Sequence, residues 1–563
     1  MSRLNVGIVG GGIAGLYTAL LLLREGHYVR IFEGTDRIGG RVYTHYFTTE
    51  KDQYYEAGAM RIPYSEFHEI VFQLINYVNS QVSKPEEIEL IDYILNDTGN
   101  DVFINDHRPE MQAFSVTPLS IGWDVPENYT QKTAQQLLEE AIGQFIYDLK
   151  ENFKEAFETI VNNFDDFTFR YYCKSVMGWP DEVIDFVETV ASQTNQFALS
   201  VPELVMQNMD FDEKVWKTID GGMSRLPQAM ARLVGLSNIT FGARVTGLKK
   251  NEDGRVCIIT SGYNGDLSAT FDRVVLAIPP AALRMITDRP HWGAEKEMAI
   301  RSIHFEALYK MGLRFKTRFW ERVSPGPSNG GQSTTDLPIR WVVFPSNGRG
   351  EDGPGALLVY AWMTDASNWV PLTPLERRNL AIDCIEKLYQ GKLDGDKNID
   401  VKDLLIGTSD TVWSTSTATG DAMFLPGQFR AHFDVAQRRE ENIYFAGEHL
   451  SYHHTWISGA ANSALSVVRD MLDDNNLPPL EKPVSTRSIS RMKKEALVRE
   501  PAPAKVPFRF EGGRLGLVHG WPPTEVPREG SDSEYKFPTN LGMSQAGLGP
   551  VTANLKGPNA MGM

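Results

Sequence analysis

Three glycines open the chemistry of this chain. Gly10, Gly12 and Gly15 lie in GGGIAG (10–15), directly after the apolar run LNVGIV (4–9) and at the start of IAGLYTALLLLRE (13–25). In a strand–turn–helix the first glycine permits the tight turn and the second lets a pyrophosphate approach the backbone. The third allows helix and strand to pack closely. The helix N-terminus then faces the phosphates with unsatisfied N–H groups. Glu33 ends the next apolar run, YVRIFE (28–33), where a carboxylate can take ribose hydroxyls. The spacing therefore points to a dinucleotide with an unphosphorylated ribose.

A second candidate is Arg61, in YYEAGAMRIP (54–63). A guanidinium is always charged, so one placed among small and apolar residues needs an anion. Glu56 or another acid could supply it, and so could a ligand carboxylate, which arginine's planar fork matches in two bonds. Lys310 lies between Tyr309 and Met311 in the strand-like IHFEALYKMGLRF (303–315), an unusual place for an ammonium in a packed core. Lys316 nearby reads as solvent-facing. Tyr360 alone reads as core. Trp456 follows GEHLSYHH (447–454), a loop that looks too polar for a core. His453 and His454 in that loop read as surface histidines rather than an acid–base pair.

These residues need elements to hold them. The two N-terminal apolar runs and the helix between them form a βαβ start, with Gly26 as the residue that ends the helix. The 18 uncharged residues Val6–Leu23 would suffice for a short membrane span, but their five glycines read as strand, turn and helix. In residues 131–164, Leu138, Ile142, Phe145, Leu149, Phe153, Phe157, Ile160 and Phe164 repeat at helical spacing and predict one long apolar stripe. Further helix is expected to about residue 210. Residues 274–279, 339–345, 355–363 and 442–450 read as strands, and 458–472 as a closing helix. After residue 480 the proline-rich, basic-clustered sequence reads as a tail without its own core.

The chain has 563 residues, 42% of them hydrophobic, and a net charge of −16, which argues against nonspecific binding to nucleic acid or to an anionic membrane. Its three cysteines, Cys173, Cys257 and Cys384, follow no metal-ligand or disulfide spacing. An intracellular, cytoplasmic setting fits best. RIGGR (37–41) sets a second glycine pair and two arginines near the same phosphates. No second strand–GxGxxG–helix unit follows for a nicotinamide, which favours FAD.

GxGxxG, Glu33 and RIGGR, followed by AGAMRIP (57–63), STTDLPIR (333–340) and FAGEHLSYHHTWISGA (445–460), resemble the flavin-dependent amine oxidase superfamily. Within it the similarity is greatest to L-amino acid oxidases of the fungal type, over about residues 4–475. The resemblance implies an α/β fold: a Rossmann-like FAD-binding domain from 1–44, 215–300 and 437–475, a mixed-sheet substrate domain from 45–100 and 301–436, and a helical insert at 101–214. It implies cofactor contacts at Gly10, Gly12, Ala14, Gly15, Glu33, Gly34, Arg41, Gly58, Ala59, Met60, Arg61, Val245, Gly447, Glu448, Trp456 and Ile457. Trp413 is a further candidate beside the flavin. No cysteine precedes SYHHTW, so the FAD is expected to be noncovalent.

The same resemblance pairs Arg61 with the substrate α-carboxylate and sets the amine between Tyr360 and Trp456. Lys310 would support oxygen near the flavin. Thr455 would offer its carbonyl to the amine, although many relatives have glycine there, whose backbone freedom is lost here. The implied reaction takes an L-amino acid and oxygen to a 2-oxo acid, ammonia and hydrogen peroxide. Amino-acid 2-monooxygenases, which release an amide, share the pattern, and amine oxidases acting on substrates without a carboxylate are another alternative. A flavin-binding scaffold is a third. The family suggests a dimer or larger homo-oligomer, with no metal.

Overall fold

The computed structural model describes residues 3–262, 266–414 and 419–480. The expected tail, from residue 481 onward, lies outside the described residues. Strand β1 (Asn5–Val9) runs into helix α1 (Ile13–Arg24) and returns as strand β2 (Tyr28–Phe32). The apolar N-terminal run is thus divided between two elements by its glycines. Gly26 ends the helix at φ 80°, where its N–H and that of His27 donate to Leu23 and Leu22 carbonyls. Among the described residues no helix is long and apolar enough to cross a membrane.

β1 sits at the centre of a five-stranded parallel sheet. One neighbour is β2, which pairs in turn with Ile239–Thr240; the other is Arg273–Leu276, which pairs with Ile443–Phe445. Val6, Ile8 and Ile31 are fully buried in it, as continuous apolar strands covered on both faces require. Helix Ile457–Asp474 packs on α1.

A second sheet has six strands, in the order Leu405–Val412, Leu308–Phe315, Gly355–Trp362, Trp341–Val343, Gln332–Thr335 and Val102–Phe103. All its pairs are antiparallel except the last. Its register sets Lys310 opposite Tyr360. A short three-stranded sheet pairs Ile62–Pro63, immediately after Arg61, with Trp216–Ile219.

The helical stretch differs from one continuous stripe. Ala134–Glu151 ends at Asn152, whose φ of −148° and ψ of 82° break the helix before Phe153–Phe164 starts. Leu138, Ile142, Leu149, Phe157, Ile160 and Phe164 are buried, whereas Phe145 and, just after the break, Phe153 are only partly buried. The last helix of the run, Val201–Phe211, carries Phe211 to the cavity described next.

Candidate active site

One cavity of about 220 Å³ follows the ends of the β1 and β2 strands and continues between the second sheet and the Trp456 loop. Its phosphate end is backbone. Gly10 (φ 105°) turns the chain, and Gly12 caps α1 with no side-chain hydrogen bond on the helix N-terminus. A Cβ on Gly15 would lie 2.0 Å from the Gly10 carbonyl oxygen, so the third glycine is fixed by close packing. The second pair folds onto the first, with the Gly39 N–H donating to the Gly11 carbonyl at 2.9 Å. A Cβ on Gly12 would find its nearest neighbour only at 4.0 Å, so the space over that glycine is open. Glu33 lines the same space. Its carboxylate accepts from the Gly11 N–H at 2.7 Å and from the Thr35 N–H at 2.9 Å, which fixes it at the strand end.

Arg41 and Glu448 tie this end to the C-terminal loop. The Arg41 guanidinium donates to Glu448 Oε1 at 2.7 Å and to the Gly420 carbonyl at 2.9 Å. Burial opposes the charge on Glu448, yet Arg41 and the imidazoles of His449 and His454 hold its carboxyl below the usual range. The Thr455 N–H donates to Glu448 Oε2 at 3.0 Å.

Arg61 is 5% exposed and has no ion pair with any carboxylate among the described residues. Its Nη1 is buried without a hydrogen-bond partner. The guanidinium lies 4.9 Å from the Phe211 ring centroid and 5.6 Å from those of Tyr93 and Trp216. Glu56, the nearby acid in sequence, is engaged elsewhere: its carboxylate accepts from the Met223 N–H and the Thr44 hydroxyl, both at 2.8 Å. Burial pushes that carboxyl up to about 7. The internal Arg–Glu pair weighed from the sequence does not form among the described residues.

Lys310 is also buried. Its Nζ donates to the Gly58 carbonyl at 2.5 Å and sits 4.4 Å from the Tyr360 ring centroid. Burial, reinforced by the Arg61 charge and opposed by Glu56, brings its ammonium down to about 7. The Tyr360 hydroxyl accepts a hydrogen bond from Trp362 Nε1, which fixes the phenol against the sheet. The Trp456 ring is held by His68, Phe211 and Trp216, with centroids at 5.2, 5.8 and 5.9 Å.

Of the residues singled out from the sequence, Gly10, Gly12, Ala14, Glu33, Arg41, Gly58, Ala59, Met60, Arg61, Lys310, Tyr360, Trp413, Gly447, Glu448, Thr455, Trp456 and Ile457 all line the cavity. Gly15, Gly34 and Val245 do not line it. Val245 belongs to the hydrophobic core, in the strand Ala243–Lys250. Phe211, Trp362 and Asp421 line the cavity without having been singled out.

The loop before Trp456 corrects the sequence reading. His449, His453 and His454 are only 5%, 7% and 4% exposed. His453 and His454 are met by buried acids from distant segments: Glu203 Oε2 lies 2.8 Å from His454 Nδ1, and Asp210 Oδ1 lies 3.5 Å from His453 Nδ1 and 3.0 Å from His68 Nε2. Asp210, stripped of water, is still held below the usual carboxylate range by those two imidazoles. A polar loop is thus a core element here, with its cost of burial offset by paired charges.

Thr455 occupies its position at φ 73°. A β-branched residue in this left-handed region is strained, by about 1–3 kcal/mol. Thr455→Gly keeps the backbone bond to Glu448 and is expected to raise stability by about 1 kcal/mol, read as a higher denaturation midpoint. A lower or unchanged midpoint would show that the threonine side chain carries its own compensating contacts.

The profile of flavin-containing amine oxidoreductases matches residues 13–472. The chain belongs to that family. This flavin amine oxidoreductase is 30% identical over 514 residues to a Dictyostelium discoideum protein named as a bifunctional amine oxidase; the alignment covers 85% of this chain and 47% of the other, so the chain spans about half that relative's length. It is 27% identical over 471 residues to the L-amino-acid oxidase of Gloydius halys, covering 83% of this chain and 88% of that one. Its fold is that of putrescine oxidase solved with putrescine (TM-score 0.64, 18% identity, 84% and 99% of the two chains). Cyclohexylamine oxidase from Brevibacterium oxydans gives 0.60 at 16% identity, covering 84% and 100%. The cofactor of this amine oxidoreductase is FAD. The cavity suits it: a bare glycine backbone and an uncapped helix N-terminus for the phosphates, Glu33 at the strand end for a ribose, and apolar walls beyond.

Proposed function

We propose that this enzyme oxidatively deaminates L-α-amino acids, giving a 2-oxo acid, ammonia and hydrogen peroxide from the amino acid, water and oxygen. The observation that carries the reading is Arg61: a buried guanidinium on the cavity wall, with three aromatic rings around it and no carboxylate paired with it among the described residues. A substrate carboxylate satisfies it with two charge-assisted bonds in a site that water leaves poorly screened. An amine without a carboxylate would leave that charge unpaired.

The other groups then have distinct tasks. Tyr360 and Trp456 present aromatic faces that suit a neutral amine and keep the slot dry. Leu308, Trp362 and Phe211 exclude water from the same walls. FAD, when bound, supplies the acceptor for the two electrons of the Cα–H bond and their transfer to oxygen. Lys310 Nζ holds a proton and a positive charge at the cavity wall, where negative charge developing on oxygen is stabilised.

The test is an anaerobic absorption spectrum of the yellow protein before and after L-amino acids, D-amino acids and the corresponding amines. Bleaching by L-amino acids alone is expected. Bleaching by amines alone would make Arg61 structural and the protein an amine oxidase. Amide in place of oxo acid among the products would move it to the 2-monooxygenases.

A further inference from the structure

Behind Trp456 lies a cluster of polar side chains that the reaction above does not use. His68, Asp210 and His453 are 1%, 3% and 7% exposed, and none of them lines the cavity. Asp210 Oδ1 lies 3.0 Å from His68 Nε2 and 3.5 Å from His453 Nδ1, and one ligand atom from each residue lies within 4.8 Å of the other two. Hydrogen bonding accounts for only part of this arrangement. The contact between His68 and Asp210 has ordinary length, but His453 Nδ1 is buried with no hydrogen-bond partner. A nitrogen kept from water and left unpaired is costly, and a metal ion satisfies an imidazole lone pair as well as a hydrogen bond does. The surroundings match a metal site. The second nitrogen of His68 lies 2.8 Å from the Ser458 hydroxyl, which can accept its N–H and leave Nε2 free to ligate. Aromatic rings close the rest: Phe67 and Phe153 lie 5.5 and 5.8 Å from the His453 ring, and Trp456 lies 5.2 Å from that of His68.

We propose that His68, Asp210 and His453 bind one structural Zn2+ ion through Nε2, Oδ1 and Nδ1. Two imidazoles and a carboxylate, with no thiolate, suit zinc, whereas Ca2+ and Mg2+ take oxygen ligands. A four-coordinate ion with bonds of about 2.0–2.1 Å spaces its ligand atoms about 3.4 Å apart. Separations of 3.0 and 3.5 Å reach that geometry with small shifts. A water or the second Asp210 oxygen completes the set. The sequence predicts no metal because the three ligands come from distant segments and share no local spacing. His68 precedes helix Glu69–Ser80, Asp210 is next to Phe211 in helix Val201–Phe211, and His453 stands three residues before Trp456. One ion therefore ties together, from outside the cavity, the segments that carry two of its aromatic walls.

The test uses the FAD-loaded enzyme expressed with Zn2+ in the medium, since a buried site is filled as the chain folds. After gel filtration in chelator, elemental analysis should find about one zinc per FAD. His453→Gln removes a ligand and should retain less than about a tenth of that zinc. Ser458→Ala keeps all three ligands and should weaken the site by about 10–100-fold. The FAD content of the same samples shows whether each variant has folded. Zinc-edge X-ray absorption on the wild type needs no substitution. It should show only nitrogen and oxygen at about 2.0–2.1 Å, with the outer scattering of two imidazole rings. Wild type that holds FAD but no zinc would overturn the site. So would undiminished zinc in FAD-loaded His453→Gln, or sulfur in the zinc shell, because each puts the ion elsewhere.

Discussion

Arg61→Met is expected to lower kcat/KM for any L-amino acid by about 10³-fold, while the substrate-free protein becomes more stable. The first effect follows from truncating one partner of a buried, doubly hydrogen-bonded charge pair, a loss of about 4 kcal/mol in a range of 2–5 or more. The second follows from the orphaned Nη1 and the lack of a paired carboxylate among the described residues. Before substrate binds, the guanidinium is a buried charge among aromatic rings with its Nη1 unpartnered, and methionine of similar length removes that penalty. Replacing a buried charge with a packed apolar group yields about 1–4 kcal/mol in such cases. Kinetics and a denaturation curve on the same preparation read both numbers. Arg61→Lys keeps a charge but loses the fork, so it should recover only part of the activity. A structural arginine would behave oppositely: Arg61→Met would unfold the protein more readily and lower turnover of amines and amino acids alike.

Lys310→Met is expected to slow the reaction with oxygen by about 100-fold and leave anaerobic reduction by the substrate nearly unchanged. Removing one preorganised charge or donor from a dry site costs about 10²–10³ in rate. Rapid mixing separates the two halves, and equal slowing of both would remove Lys310 from the oxygen step. The sign with pH is fixed by its depressed pKa. The ammonium is charged below about pH 7 and neutral above, so oxygen consumption should fall as pH rises through 7, and the Met variant should lose that fall. Stability moves the other way. Between about 7 and the ordinary lysine value of 10.5 the unfolded chain binds the proton and the folded one does not, so the lysine's contribution to stability rises with pH over that window.

The parts of this molecule that were legible in the sequence are those fixed by local rules. Gly10, Gly12, Gly15 and Glu33 sit in one βαβ unit, where spacing alone specifies turn, helix start and strand end. Arg61 was conspicuous because its immediate neighbours are small or apolar. The pairing of Lys310 with Tyr360 depends on the register of two strands 50 residues apart, which no local pattern specifies. The histidine loop misled for a related reason. His454 is buried because Glu203, 251 residues earlier, meets it, and a polar stretch read alone looks like surface. Asp421 follows a glycine and reads as an ordinary turn residue until the cavity shows its carboxyl without a partner. The break at Asn152 was hidden because the apolar spacing continues through it.

The parallel sheet also sets the order in which the enzyme can be finished. Its central strand lies at residues 5–9, yet one neighbour comes from 273–276 and the far edge from 443–445, after nearly the whole described chain. Glu448, Trp456 and the helix that packs on α1 come later still. A nascent chain therefore carries an open sheet edge and half a cofactor cradle through most of its synthesis. Loop closure over such separations is slow, and the exposed strand invites wrong partners meanwhile. FAD supply then acts as a maturation factor as well as a cofactor supply, because binding draws the late segment onto the early one and holds the ring of contacts shut.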